Sequence, residues 1–148
     1  MKTPLLSKLV GLLTGKNTAP TALWQPAQRA YPLLATFDPA AEDLFGKQGL
    51  YALWHLGVRP QWLRVGMSDD LGATLTALSQ ASWVSAHENN RGVFAAWAPV
   101  TPERGDGMAR FLSETLKPAF QGEPAAAERA HDLAVAPVAC PLPPGTQS

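Results

Sequence analysis

The chain has 148 residues, 46% hydrophobic, 16% charged and 8% aromatic, which suits one domain with a core of its own. Twelve basic and twelve acidic residues cancel, which excludes a whole-chain positive field of the kind that draws in nucleic acid or anionic lipid. The single cysteine, Cys140, excludes an internal disulfide framework and a multi-cysteine zinc site. No apolar run reaches the roughly eighteen residues that a membrane-spanning helix requires.

In residues 1–16, Leu5, Leu6, Leu9, Val10, Leu12 and Leu13 share one stripe at helical spacing, with Ser7, Lys8, Gly11 and Thr14 opposite. This predicts an amphipathic N-terminal helix that docks on protein or, alternatively, on a membrane surface. Lys8 interrupts the apolar run, which argues against a secretory leader. Residues 17–46 are punctuated by Pro20, Pro26, Pro32 and Pro39, each fixing φ and removing a backbone donor, so they read as a proline-rich linker. Trp24, within that linker, joins Leu5, Leu6, Leu9, Leu12 and Leu13 as a candidate interaction residue. A short helix is expected near the end of the linker, with Asp38 as N-cap, Pro39 at the first helical position and Gly46 as its stop.

The period then changes. Gly49–Leu56 and Gln61–Gly66, rich in aromatic and branched side chains and joined by Gly57-Val58-Arg59-Pro60, predict an antiparallel hairpin. Ser68 is the expected cap of a following helix, with Asp69 and Asp70 in its first turn and Leu71, Leu75 and Leu78 on its buried side. That helix restarts around Trp83-Val84, ahead of a polar loop from His87 to Gly92. Val93–Val100 predicts a third strand with Pro99 near its end, an arrangement suited to a sheet edge. Asp106 would cap the next helix, whose face carries Met108, Phe111, Leu112, Thr115 and Leu116 and which Pro118 brings to its end. A last helix is expected from Pro124 to Leu133, then a proline-rich tail over 137–148 that is extended or disordered and contributes little stability. The fold class is therefore α+β: a small three-stranded antiparallel sheet, a hairpin plus a third strand, flanked by helices and bounded by proline-rich segments.

Gly49-Leu50-Tyr51, followed by Arg64-Val65-Gly66-Met67-Ser68 and by the hairpin–helix–strand–helix order, resembles the GIY-YIG nuclease-like domain over about residues 47–120. The resemblance implies a tyrosine in each of the two motifs, an arginine on the first helix and a metal-binding glutamate on the helix after the third strand. Tyr51 matches the first tyrosine, and Arg64 stands where the second is expected. Thr74 stands where the arginine is expected, and Glu114 is the match for the glutamate. Phosphodiester hydrolysis needs a metal to polarise the phosphoryl oxygens and cations for the developing charge. One carboxylate without the arginine is a poor constellation for that task.

Glu114 follows Arg110 by four residues and precedes Lys117 by three, so its ordinary reading is a solvated ion-pair group. Tyr51 reads as a packed strand residue, and Arg64 as a strand-face cation near Asp69, Asp70 or Glu114. His55, His87 and His131 lack the spacing of a metal-binding helix, and Cys140 has no neighbouring base. The functional expectation is a non-catalytic, cytoplasmic accessory subunit that binds a protein partner or larger assembly, with no cofactor and no role in binding nucleic acid. Its place would be in the cytoplasm, including the cytoplasmic face of a larger assembly. The alternative is a divergent DNA endonuclease using Tyr51, Arg64 and Glu114 with Mg2+.

Overall fold

A computed structural model describes residues 23–26, 30–56, 61–87, 92–131 and 134–143. The expected N-terminal helix and its leucine stripe lie outside these described residues. The first two strands, β1 (Gly49–His55) and β2 (Gln61–Ser68), form the hairpin, with Gly49 opposite Ser68 and Leu53 opposite Arg64. The register then shifts, so that Trp54 faces Trp62 and Leu63 is the extra residue of a bulge. Helix α1 (Leu71–Leu78), the short α2 (Ser82–Ala86), strand β3 (Phe94–Pro99) and helix α3 (Pro102–Leu116) follow. The sheet order is β2-β1-β3, all antiparallel, so the α+β architecture expected from the periodicity is the one observed.

Every residue of β1 is buried because both of its faces are covered. Tyr51 and Leu53 point to one core, where Leu63, Leu71, Leu75, Leu78 and Val84 meet them. Leu50, Ala52 and Trp54 point to the other, against Val65, Met67 and the Met108, Ala109 and Leu112 stripe of α3. Trp54 gathers Trp62, Phe94 and Tyr31 around itself with ring centroids 5.5–6.0 Å apart, so the aromatic content of the hairpin is largely packing.

Several local expectations are corrected. The cap of α1 is Asp70, whose Oδ1 accepts from the Ala73 amide, while Ser68 ends β2 and its Oγ accepts from the Asp70 amide. Helix α3 starts a turn earlier than Asp106, with Thr101 as N-cap and Pro102 next, the position where a missing N–H costs nothing. It ends with Lys117 in the left-handed region (φ 50°) just before Pro118. Residues 39–43 make successive turns rather than a helix, because Asp43 also turns left-handed (φ 59°) and breaks the run. No helix forms over the described part of 124–133; Ala127 is left-handed (φ 63°) and Glu128 forms an isolated bridge to Ser68.

The flanks expected to be linker and tail carry core side chains. Trp24 is 0% exposed, sits in the α3-side core, and donates from Nε1 to the Pro141 carbonyl at 2.9 Å. It is therefore a packed core residue and not an exposed docking anchor. Leu34 and Leu44 are buried in the α1-side core. The segment around Gln25 and Leu33 runs along the outer edge of β3, bridging Trp97 and Phe94. Val138, Cys140 and Leu142 pack on the α3-side core, and the Val138 amide donates to the Gly107 carbonyl at 2.9 Å. An added Cβ at Gly107 would lie 2.7 Å from the Ala136 carbonyl, so the bare backbone lets the tail lie flat on α3. Extended proline-containing segments suit this covering role, since they bring apolar surface with few donors to satisfy.

Candidate functional site

Tyr51 and Arg64 stand on the same face of the hairpin, because Tyr51 is opposite Gly66 and Arg64 lies two residues before it. Arg64 Nε donates to the Tyr51 hydroxyl at 2.9 Å. The third member is Glu128: the Tyr51 hydroxyl donates to its Oε2 at 2.5 Å, and Arg64 Nη2 reaches its Oε1 at 2.7 Å. The side chains of Arg64 and Glu128 are 5% and 0% exposed. Gly66 makes the approach possible, since a Cβ there would run into the Glu128 carboxylate.

Glu128 is delivered by a strap, residues 119–129, that crosses from the end of α3 over the outer edge of β2. The Ala119 and Phe120 amides donate to the Trp62 and Leu63 carbonyls, the Arg129 amide to Met67, and the Asp69 amide to Ala127. Gln121 Oε1 accepts from the Val65 amide, so the strap answers backbone groups that an open strand edge would leave to solvent. Arg64 completes its bonding on the Phe120 and Glu123 carbonyls, both at 2.8 Å. Beside the triad, Thr74 Oγ1 donates to the Ala126 carbonyl at 2.7 Å and pairs with Ser68 Oγ at 2.7 Å.

Burial, reinforced by the neighbouring Glu128 charge, pushes the Tyr51 phenol well above its ordinary pKa. Burial opposes the Arg64 charge, and the Tyr51 oxygen together with Glu128 outweighs it, so the guanidinium pKa lies above the ordinary value. The triad is therefore a neutral phenol held between a paired cation and an anion. It has the bonding of a satisfied buried network, not of a group awaiting a reactant.

Glu114 does not join Tyr51 and Arg64. Tyr51 faces the α1-side core, whereas α3 packs on the opposite face of the sheet. The Glu114 carboxylate is half exposed and accepts from Arg110 Nε at 2.9 Å, the helical i,i+4 pair expected from spacing. It borders a small cleft with Asp106, Arg110, Arg129 and His131 over Met67. Arg129 is engaged there by Asp106 at 2.8 and 2.9 Å and by Asp69 at 3.2 Å, and these bonds raise its pKa. The expected acidic neighbours of Arg64 are thus used elsewhere: Asp69 on Arg129, Asp70 on the α1 cap and the Gly46 amide. Its partner is Glu128 instead.

The histidines are likewise absorbed. The His55 and His87 rings lie 4.5 Å apart, and His87 Nδ1 donates to the Trp83 carbonyl at 2.6 Å. Phe120 of the strap stacks on Trp83 at 4.9 Å and meets the His87 ring edge-on. Among the described residues no group of three or more His, Cys, Asp or Glu is placed to hold a metal ion. Among them, too, no helix is long and apolar enough to cross a membrane.

The sequence does not single out Glu128, and it marks Thr74 only as standing where the resemblance expects an arginine, not as a residue that bonds the strap. Thr74 was detectable, since Leu71, Thr74, Leu75 and Leu78 share the i, i+3, i+4, i+7 stripe of α1. Glu128 lies in an alanine-rich stretch with no local mark; the one hint was Arg64, a charge in the middle of a buried strand that had to have an acid somewhere. Comparison with known protein families, curated proteins and solved structures found no match to the chain.

Proposed function

We propose that the chain is a non-catalytic accessory subunit that binds a protein partner, built on a scaffold similar to the GIY-YIG domain and working in the cytoplasm. One observation carries this reading. The groups at the positions where the resemblance puts phosphate chemistry are bonded to the chain itself: Tyr51 and Arg64 to Glu128, and Thr74 to the strap backbone. A phosphodiester would have to displace the strap to reach them. The endonuclease alternative asks Tyr51, Arg64 and Glu114 to act on one phosphate with Mg2+, whereas Tyr51 lies in the core on one face of the sheet and Glu114 is carried by α3, whose buried stripe packs on the other. A general acid, base or metal ligand must lie within hydrogen-bonding or coordination reach of the reacting group, so that separation weighs against it.

The test uses the intact chain in two assays. Supercoiled and branched DNA incubated at low salt with Mg2+ or Mn2+ should remain uncut. A partner should co-purify in fixed stoichiometry, and deletion of residues 1–16 should abolish the complex while leaving the near-UV spectrum of the domain unchanged. Metal-dependent nicking that disappears in Glu114→Ala would overturn the reading in favour of the endonuclease.

A further inference from the structure

The strap is anchored in an uncommon way for a surface segment. Gly122, Glu123, Pro124, Ala126 and Ala127 face solvent, Phe120 and Ala125 pack partly buried against the α1-side core, and the one fully buried side chain of residues 119–129 is a carboxylate. Apolar anchors are the ordinary choice, because a buried ion pair gains little over an apolar contact of similar volume. Around Glu128 the hydrogen bonds of the Tyr51, Arg64 and Thr74 side chains all run toward the strap, whereas at its far end Arg129 of the strap donates to Asp69 and Asp106. Arg64 donates to the Phe120 and Glu123 carbonyls and to Glu128, Tyr51 donates to Glu128, and Thr74 donates to the Ala126 carbonyl. The floor is a donor surface on β1, β2 and α1, and to those side chains the strap presents carbonyl and carboxylate oxygens.

We propose that this floor is a latent oxyanion-binding site, and that the strap is its built-in lid, with the Glu128 carboxylate occupying the place of the anion. A guanidinium and a phenol converging on two oxygens make charge-assisted bonds that any small carboxylate or phosphate can reproduce. The floor is rigid because its donors stand on paired strands and on a capped helix. The lid carries a left-handed non-glycine residue at Ala127, a conformation that an opened chain no longer has to hold. A ligand opens the lid only in proportion to its preference for the open form, so the anion must compete with a tethered carboxylate at high effective concentration. The inference goes beyond the accessory-subunit reading and does not depend on it, since anion binding requires neither catalysis nor a protein partner.

The experiment follows thermal unfolding of the full-length wild type, Glu128→Ala and Glu128→Gln in sodium acetate, sodium phosphate and sodium chloride at matched ionic strength. Acetate or phosphate should raise the midpoint of Glu128→Ala by several degrees over chloride, leave wild type almost unmoved, and lose the effect in Arg64→Met/Glu128→Ala. A larger gain with acetate assigns a carboxylate ligand, and a larger gain with phosphate assigns a phosphate. A folded Glu128→Ala that responds to all three salts alike overturns the proposal. If Glu128→Ala does not fold, Glu128→Gln is read by the same criteria. Hydrogen exchange on wild type gives an independent reading: the Phe120, Asp69 and Arg129 amides should exchange through an opening that leaves β1 protected. Exchange of these amides only together with β1 overturns the lid.

Discussion

The two faces of the sheet are closed by different means, and the difference separates what is tolerant in this fold from what is specific. On the α3 side, Leu50, Ala52, Trp54, Val65 and Met67 meet Met108, Ala109 and Leu112, with Trp24 and the tail completing an apolar layer. On the α1 side, a leucine core is continued by the Tyr51–Arg64–Glu128 network beneath the strap. An apolar layer loses stability in proportion to the atoms removed. A buried charged network is all-or-none: intact it is roughly neutral against an apolar replacement, and missing one member it leaves a charge without a partner.

The largest expected effect tests that asymmetry. Glu128→Ala strands the Arg64 guanidinium inside the protein and should cost about 3–5 kcal/mol in urea unfolding. The triple replacement Tyr51→Phe, Arg64→Met, Glu128→Leu should recover most of that loss. A single variant within about 1 kcal/mol of wild type would mean that water reaches the guanidinium, contrary to its burial.

On the apolar face, removal of residues 137–148 should destabilise the domain by about 2–4 kcal/mol. It deletes the Val138–Gly107 and Trp24–Pro141 hydrogen bonds, each worth about 1 kcal/mol, and part of the covering over Trp24. The midpoint of thermal unfolding measures it. This reverses the expectation from proline content, and a shift too small to resolve would restore the tail to a dispensable segment.

The third effect is confined to alkaline pH. The folded Tyr51 phenol has a pKa well above its unfolded value of 10.0, because ionising it inside the protein is opposed by burial and by Glu128. Its contribution is therefore complete below about pH 10 and is lost as pH rises from there toward the folded value. Tyr51→Phe loses a hydrogen-bonding hydroxyl, costing about 1–3 kcal/mol near pH 7, and loses this alkaline dependence as well. The stability gap between wild type and variant should narrow above about pH 10. Cys140, pushed up to about 11 by burial, and Tyr31 titrate in both proteins and cancel in the difference. A gap that stays constant through pH 11 would contradict the burial of the phenol.

The elements that periodicity reveals are those whose partners lie close in sequence. Alternation placed β1, β2 and β3, and the Leu71, Leu75 and Leu78 spacing placed α1, because each pattern is imposed by one nearby face. Glu128 answers Arg64 across 64 residues, and Trp24 answers Pro141 across 117, distances at which spacing carries no information. Over the described part of the expected 124–133 helix, helix propensity yields to tertiary bonding: Glu128 is buried on that distant cation and Ala127 is left-handed. The tail was more legible than its prolines suggested: Val138, Cys140 and Leu142 alternate with small residues and prolines, and all three lie on the core. Of the candidate site, Tyr51 and Arg64 were found by resemblance, whereas the carboxylate that unites them was not.

The smallest expected effect belongs to Glu114, the carboxylate that the resemblance favoured. Its side chain is 52% exposed, its partner Arg110 keeps a second bond to the Val135 carbonyl at 2.7 Å, and the pair lies on the solvent side of α3. An exposed i,i+4 pair contributes about 0.3–0.5 kcal/mol and is weakened further by salt. Glu114→Ala should therefore shift the urea midpoint by about a tenth of the shift caused by Glu128→Ala, or by a little more at low ionic strength, with the difference fading as sodium chloride is added. The comparison of the two alanine variants is informative because both remove one glutamate bonded to one arginine, at similar distances of 2.9 and 2.7 Å. The surroundings differ, and with them the further bonds that Tyr51 and the Ala125 amide make to Glu128. Equal costs would mean that the strap face is as wet as the α3 surface, and the distinction between the two faces of the sheet would then fail.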